Sequence, residues 1–224
     1  MKLYYHPAST TSRPVLLFGA EEGLSLDLQV VDLMTGEHLQ PAYLALNPNG
    51  LVPMLDDDGF RLTESSAILK YLADKTSSAL YPKDLKTRAR VNEAMDWFNS
   101  NLYRDLGYNL VYPQVFPHHK RPDEAATAAT VQWGAQKCCT ALKVLDEHML
   151  AEKSWLAGDE TTIADYFGAC ILSAGELVHV DLSPYPNVSA WMSRVKALPS
   201  WPKINEVHDG FVKSLAGQTF VGLA

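Results

Sequence analysis

Strand-forming patterns are confined to the N-terminal third of this 224-residue chain, and this asymmetry limits the folds that it can adopt. Short aromatic or alternating apolar runs predict strands at residues 2–5, 26–31, 51–55 and 60–62. Helical patterns separate or follow them at about residues 11–22, 37–46 and 67–72. The predicted order is β-α-β-α-β-β-α. A crossover-linked strand pair and a hairpin would form one mixed sheet with helices packed on it.

The remainder of the chain is predicted to be helical. Apolar residues recur at spacings of three and four, and helices are predicted at residues 88–111, 123–150, 162–178 and 188–197. Pro184, Pro186, Pro199 and Pro202 are predicted to mark the breaks between and after the last two helices. The predicted fold class is α/β followed by all-α, with an α/β domain at residues 1–76, a linker at residues 77–86 and a helical domain at residues 87–224.

Composition excludes several classes of function. The chain is 47% hydrophobic and 20% charged, which is typical of a folded domain rather than a disordered one. A formal net charge of −7 argues against nucleic acid or an anionic membrane as the main partner. No apolar run reaches the roughly 18 residues of a spanning helix. The segment MKLYYHP meets its proline before the apolar core of a signal peptide could form, so a cytoplasmic location is expected.

The cysteines and histidines predict no metal site. The chain has three cysteines, Cys138, Cys139 and Cys170, with no CxxC spacing. That pattern argues against a disulfide framework, a zinc site and a dithiol redox pair. The histidines share no metal-ligand spacing with acidic or cysteine partners.

A proline interrupts the third predicted strand. Pro53 lacks the N–H that a strand ladder needs, so it indicates either an edge strand or a special peptide bond. With a cis bond, Val52 could present its backbone N–H and C=O to an extended peptide. On Pro53 alone, the plain edge-strand interpretation is favoured.

Glu64 and Ser65 stand at the start of the third predicted helix. A hydroxyl and the unpaired N–H groups of a helix N-terminus bind a carboxylate well, and Glu64 could accept from an ammonium group. Together they would suit the charged head of an amino acid. The alternative is that Ser65 only caps its own helix, which is the commoner role of such a residue.

Four hydroxyl residues, Ser9, Thr10, Thr11 and Ser12, follow the first predicted strand. A hydroxyl at this junction could hold a thiolate, although most such clusters are helix caps. Taken jointly, the three features describe a site for a small acidic peptide that carries a thiol. The head would lie at Glu64 and Ser65, the middle would pair with Val52, and the sulfur would reach the first helix.

The sequence resembles the glutathione transferases over nearly its whole length. The segments that carry the resemblance are LYYHPASTTSR, DLMTGEHLQPAYLALNPNGLVPML, LTESSAILKYLADK, LYPKD and WLAGDETTIADY. The serine in the first segment, the GEH sequence and the NPxGxVP pattern are similar to the delta/theta-like branch, including its bacterial members. The resemblance implies a thioredoxin-like N-terminal domain followed by an all-helical domain, and glutathione as co-substrate with no metal.

The resemblance also implies roles for individual residues. Ser9 matches the serine whose hydroxyl donates to the glutathione thiolate, with Thr10, Thr11 and Ser12 as alternatives; Ser12 is the more plausible cap. The residues that match the remaining glutathione-binding positions are His38 at the glycyl end, Val52 and Pro53 at the peptide, and Glu64 and Ser65 at the γ-glutamyl head. Thr162 and Asp165 match a capping box that is important for folding.

This chain departs from the family pattern in the loop before Pro53. Relatives often carry a basic residue there, whereas this chain has Asn49, Gly50 and Leu51, which leaves more of the binding of the glycyl carboxylate to His38. The hydrophobic substrate site would lie between the domains. Its candidates are Trp97, Tyr103, Arg104, Tyr108 and Tyr112, although aromatic residues at helical spacing are often core or interface residues.

The sequence therefore predicts an enzyme that conjugates the glutathione thiolate to a hydrophobic electrophile. A dimer is expected from the resemblance. Two alternatives stay open: another glutathione-dependent reaction on the same fold, namely dehalogenation, isomerisation or peroxide reduction, and a non-catalytic binding module.

Overall fold

Four short strands form one mixed sheet near the N-terminus. The computed structural model describes residues 1–223. In it, β1 (Lys2–Tyr5) pairs with β2 (Asp27–Val30) in parallel and with β3 (Met54–Asp57) in antiparallel orientation. The hairpin partner of β3 is β4 (Phe60–Leu62), which gives the strand order β2-β1-β3-β4. The predicted mixed sheet is confirmed.

Three helices belong to this sheet. They are α1 (Arg13–Glu21), α2 (Pro41–Leu44), which follows a 3₁₀ turn at Glu37–Leu39, and α3 (Ser65–Lys75). Pro14 lies in the first turn of α1, where a missing N–H costs nothing. Val15, Leu17 and Phe18 are fully buried, so α1 packs into the core and fixes the hydroxyl cluster that precedes it.

The rest of the described chain is helical, which confirms the predicted fold class of a thioredoxin-like unit followed by a helical one. The helices are α4 (Leu85–Trp97), α5 (Tyr112–Val115), α6 (Glu124–Val144), α7 (Ile163–Leu172), α8 (Pro186–Lys196) and α9 (Trp201–Ser214). The chain stays helical from α4 to α5, with π-helical hydrogen bonding over Phe98–Val111. Within residues 1–223, no helix is both long and apolar enough to cross a membrane.

Two sequence predictions about elements were wrong. The third strand begins at Met54 and not at residue 51, because the chain turns at Val52 and Pro53, whose peptide bond is cis. The helix α9 was not predicted, because Pro202 was interpreted as a break. It lies in the first turn of that helix, where proline is tolerated.

One buried apolar cluster joins the sheet unit to the helices. It contains Leu3 and Phe18 from the first unit together with Phe98, Phe167 and Trp191 from the second. Arg13 crosses the same boundary and is fully buried. Its guanidinium donates to Ser173 Oγ (3.0 Å), Asn205 Oδ1 (2.5 Å) and the Cys170 carbonyl (3.3 Å). The first helix is therefore anchored on the helical unit by hydrogen bonds as well as by packing.

Candidate functional site

Most of the predicted site residues line a cleft between the sheet unit and the helical unit. Those that line it are Val52, Pro53, Glu64, Ser65, Tyr103 and Tyr108. Thr11, Asn47, Asn49, Leu51 and Thr63 complete its lining. Ser9, His38, Arg104 and Tyr112 are not among the lining residues.

The N-terminus of α3 forms one end of the cleft. Glu64 is the residue before the helix and adopts left-handed dihedrals, with φ 64° and ψ 110°, which a non-glycine residue rarely does. Ser65 is 6% exposed, and no side chain caps the helix. The interpretation of Ser65 as a cap for its own helix is therefore wrong. The first N–H groups of α3 are left without intrahelical partners beside the cleft.

The loop around Val52 lies beside the α3 N-terminus and is held by side chains. The Leu51 carbonyl accepts from Tyr43 Oη (2.6 Å) and Asn47 Nδ2 (2.7 Å). Burial raises the pKa of Tyr43 to about 12, so its hydroxyl stays a donor at neutral pH. The Val52 carbonyl accepts from Thr11 Oγ1 at 3.0 Å. The Val52–Pro53 peptide bond is cis. Of the two interpretations of Pro53, the special peptide bond is therefore correct and the plain edge strand is wrong.

The four hydroxyls of the opening cluster have different partners. Ser9 Oγ accepts from the Ser12 N–H (3.2 Å) and lies 3.2 Å from Thr11 Oγ1. Thr10 Oγ1 accepts from Tyr112 Oη at 3.1 Å. Ser12 precedes α1 but makes no capping hydrogen bond with its side chain, so its predicted role as the cap is wrong. Ser12 Oγ instead accepts from the His6 N–H at 3.5 Å, and the hydroxyl that accepts from the N–H of Ser12 itself belongs to Ser9. Thr11 connects Ser9 to the cleft wall.

His38 lies in the 3₁₀ turn that approaches Gly50, in the loop before Val52. Its Nδ1 is buried and has no hydrogen-bond partner within residues 1–223. Gly50 has a φ of 61°, and a Cβ there would lie 3.3 Å from the His38 carbonyl oxygen. The positive φ and the close approach explain why glycine occupies this position.

The aromatic candidates form a stack that starts at the cleft. Tyr103 contacts both Tyr108 and Tyr112 edge-to-face, with ring centroids 5.4 and 6.2 Å apart. The hydroxyls of Tyr103 and Tyr112 are 2.7 Å apart, and Tyr112 donates on to Thr10. Burial raises the pKa of both tyrosines, so both hydroxyls stay protonated. Tyr103 and Tyr108 thus present aromatic surface to the cleft, and Tyr112 supports them from behind.

The other second-substrate candidates have partners elsewhere. Arg104 donates to Asp105 Oδ2 at 2.9 Å and is largely exposed. Trp97 packs edge-to-face on Phe98, with centroids 5.2 Å apart.

Cys138 and Cys170 are unsuited to chemistry or to metal binding. Neither forms a disulfide. Cys138 and Cys170 are buried, and burial raises the pKa of Cys170 to about 12. They therefore remain protonated, weakly reactive groups at neutral pH.

One cluster of metal-ligand type does occur within residues 1–223. Potential ligand atoms of Glu176, His208 and Asp209 lie within 4.8 Å of one another. Glu176 Oε1 is already paired with Lys196 Nζ at 2.7 Å, and this cation opposes a second one. The sequence did not indicate this cluster, because Glu176 and His208 are brought together only by packing.

The sequence does not indicate Tyr43 and Asn47 as supports of the loop, and it indicates Thr11 only as an alternative thiolate donor. Tyr43 and Asn47 bind a carbonyl that the sequence does not distinguish from any other. A signal was present for Thr11, because its hydroxyl lies two residues after Ser9 in the same cluster.

Comparison with known proteins decides the family. A model described as the glutathione S-transferase N-terminal domain matches residues 8–75, and one described as the glutathione S-transferase C-terminal domain matches residues 112–199. Glutathione S-transferase D7 of Anopheles gambiae is 34% identical over 218 residues, covering 96% of this chain and 94% of that protein. This chain belongs to the glutathione S-transferase family. The resemblance of the sequence to the glutathione transferases is confirmed, and so is the prediction that the chain is a glutathione S-transferase enzyme.

Solved structures agree with this membership. A delta-class glutathione transferase of Nilaparvata lugens superposes with a TM-score of 0.84 at 38% identity, over 97% of this chain and 99% of that one. Human glutathione transferase theta-2, solved in complex with glutathione, superposes with a TM-score of 0.84 at 27% identity, over 100% of this chain and 93% of that one. This glutathione S-transferase therefore has relatives in both the delta and theta classes.

Proposed function

We propose that this glutathione S-transferase binds glutathione in the described cleft, stabilises its thiolate through the Ser9 hydroxyl, and conjugates it to hydrophobic electrophiles. The observation that carries the proposal is the meeting of three elements at one cleft: the Val52–Pro53 loop, the N-terminus of α3, and the hydroxyl cluster, which reaches the wall through Thr11.

The α3 end of the cleft would hold the γ-glutamyl head. The Ser65 hydroxyl and the first N–H groups of α3 would donate to its carboxylate, and the helix dipole adds to this attraction. The Glu64 carboxylate would accept from the ammonium group. The unusual backbone of Glu64 supports this role, because such conformations cluster at ligand sites.

The middle of glutathione would pair with the backbone of Val52. The Tyr43 and Asn47 hydrogen bonds to Leu51, and the Thr11 hydrogen bond to Val52, keep this loop in place before the ligand arrives. The unpartnered Nδ1 of His38 supports a role for that side chain at the glycyl carboxylate.

The thiolate can be stabilised without a basic side chain. Lowering the thiol pKa from about 8.5 by about two units requires roughly 2.7 kcal/mol of preference for the anion. A hydrogen bond to a charged sulfur contributes about 1.5–3 kcal/mol, and a helix N-terminus about 0.3–1 kcal/mol. Ser9, beside the start of α1, can supply both contributions.

The thiolate would attack an electrophilic carbon and form a carbon–sulfur bond. In a substitution the leaving group departs with the bonding electron pair, and in an addition the electrons pass to the acceptor, which then takes a proton. Tyr103 and Tyr108 would contact the hydrophobic electrophile, and Tyr112 and Arg104 are further candidates. No metal takes part in the proposed reaction.

The test is an ultraviolet titration of the thiolate of bound glutathione. Ser9→Ala should raise the apparent thiol pKa by about one unit or more and slow conjugation at neutral pH. Ser12→Ala is the matched control, because it removes a fully buried hydroxyl of the same cluster, and it should leave the thiol pKa unchanged. An unchanged pKa in Ser9→Ala would refute Ser9 as the donor.

The same preparations separate the alternative activities. Halide release, isomerisation or peroxide reduction that far exceeds conjugation would reassign the reaction. Retention on immobilised glutathione with no turnover of any electrophile would identify a binding module.

We also propose a cytoplasmic homodimer that serves detoxification, with domains at residues 1–76 and 87–224 and a linker at residues 77–86. Exposed apolar side chains, among them Leu51 and Phe60, support an interface between two chains. An odd number of cysteines with no CxxC spacing suits a reducing compartment. A single-chain mass in light scattering would overturn the dimer.

A further inference from the structure

We propose that Thr11 is a positioning residue that accepts the hydrogen bond of the Ser9 hydroxyl until a thiolate replaces Thr11 as the acceptor. This inference rests on the proposed role of Ser9. It assigns to Thr11 a function that the sequence cluster alone did not separate from those of its three neighbours.

The direction of each hydrogen bond follows from counting protons. The Val52 carbonyl can only accept, so Thr11 Oγ1 uses its single O–H to donate a hydrogen bond to that oxygen, at 3.0 Å. Thr11 Oγ1 therefore has only lone pairs to offer to Ser9 Oγ, which lies 3.2 Å away. It follows that Ser9 donates to Thr11. Ser9 Oγ also accepts from the Ser12 N–H at 3.2 Å, which fixes its lone-pair side as well.

The donor direction of Ser9 is thus set by the Val52 carbonyl, which lies 41 residues after Thr11 in the sequence. That carbonyl belongs to the residue proposed to pair with the peptide of glutathione. Thr11 also lines the cleft, so the chain Ser9–Thr11–Val52 runs along the wall that the ligand would meet.

Donation to the sulfur requires the Ser9 O–H to turn away from Thr11. With a thiolate, a neutral hydrogen bond is exchanged for a charge-assisted one, which is roughly twice as strong. With a neutral thiol, donation to the sulfur would replace a hydroxyl acceptor by a weaker sulfur acceptor. The Ser9 hydroxyl therefore keeps its hydrogen bond to Thr11. Thr11 therefore stabilises the bound thiol form in preference to the bound thiolate.

Loss of Thr11 should therefore change the thiol pKa of bound glutathione in the direction opposite to loss of Ser9. Thr11→Val keeps the side-chain shape but removes the acceptor, so the bound thiol form loses its Ser9–Thr11 hydrogen bond while the thiolate keeps its donor. The apparent thiol pKa of bound glutathione should fall by about 0.4–1 unit, which corresponds to one neutral hydrogen bond. Thr11→Ser retains the hydroxyl and should restore the wild-type pKa.

The measurement is the ultraviolet thiolate titration with glutathione itself, together with the KM for glutathione. A purely structural role of Thr11 would raise KM without lowering the thiol pKa. Thr63→Val, which removes another hydroxyl from the cleft lining, is the matched control and should leave the thiol pKa in place. A rise or no change in Thr11→Val would overturn the inference, and a rise would make Thr11 a thiolate donor itself.

The double variant separates this inference from the proposed function. If Thr11 acts only through Ser9, Ser9→Ala combined with Thr11→Val should give the thiol pKa of Ser9→Ala alone. A further shift in the double variant would overturn the inference even if Ser9 is the donor. An unchanged pKa in Ser9→Ala would refute the Ser9 assignment, whatever Thr11→Val does.

Discussion

At the scale of single residues, Gly50 shows how backbone conformation shapes the cleft. Its φ of 61° brings the loop before Val52 close to the 3₁₀ turn that carries His38. A Cβ at this buried position would lie 3.2 Å from Leu39 Cδ2 and 3.3 Å from the His38 carbonyl oxygen. A larger residue would therefore have to move one wall of the predicted glycyl end.

Gly50→Ala should lower the free energy of unfolding by more than Gly36→Ala does. Both glycines have positive φ, so each substitution incurs the cost of a left-handed alanine, about 1 kcal/mol. Only Gly50 adds crowding, because a Cβ at Gly36 would meet nothing within 4 Å. Urea unfolding of the two variants measures the difference. Equal midpoints would show that the loop relaxes without cost.

The residues of the cleft differ in how far the sequence could predict them. Val52–Pro53 and Glu64–Ser65 could be found because the chemistry of each pair lies within the pair itself: a proline in a strand, and polar groups at a helix start. The contact of Thr11 with Val52 depends on the packing of α1 against the loop, which no local pattern encodes.

At the scale of elements, helices were predicted where apolar spacing was regular, and their ends were predicted less well. The run from α4 to α5 is one long helical stretch in the structure. The helix α9 was not predicted, because Pro202 was interpreted as a break. Proline excludes a helix interior but is tolerated in the first turn, so its meaning depends on a position that sequence alone does not give.

The capping box at the start of α7 agrees with the sequence prediction and extends beyond it. Asp165 Oδ2 accepts from the Thr162 N–H (2.8 Å), as the motif predicts, and also from Thr162 Oγ1 (3.0 Å). Its other oxygen accepts from the Leu156 N–H and from Trp191 Nε1, both at 2.9 Å. One fully buried carboxylate thus ties α7 to the preceding loop and to α8.

Asp165→Ala should destabilise the protein by about 3–5 kcal/mol, because it leaves several buried donors without an acceptor. Asp123→Ala is the matched control. Asp123 caps α6 through the Ala126 N–H at 2.7 Å but is exposed, so its loss should cost only about 1 kcal/mol. Chemical denaturation of both variants gives the comparison. A similar cost for the two would mean that the Trp191 and Leu156 contacts add nothing.

At the scale of the whole molecule, the two units are joined by a polar contact inside an apolar boundary. Arg13 of α1 reaches the end of α7 and the middle of α9. His208 lies in the same region of α9, is 2% exposed, and has its Nε2 3.8 Å from Glu176 Oε2. Burial lowers the pKa of His208 and Arg13 lowers it further, while Glu176 and Asp209 raise it. The net effect keeps this histidine neutral.

The lowered pKa of His208 predicts that the folded protein loses stability in mild acid. The unfolded chain takes up the proton near pH 6.5, whereas the folded chain takes it up only at lower pH. Between those values the unfolded state binds more protons, so stability falls as pH decreases from about 6.5 and is fully present above it. His208→Gln should remove this contribution.

The measurement is the urea midpoint of wild type and variant from about pH 7.5 to 5.5. His148→Gln, at an exposed histidine, is the control and should keep the wild-type slope. If His208→Gln shows the same slope as wild type, the acid sensitivity lies in other groups and the boundary between the two units is not its source.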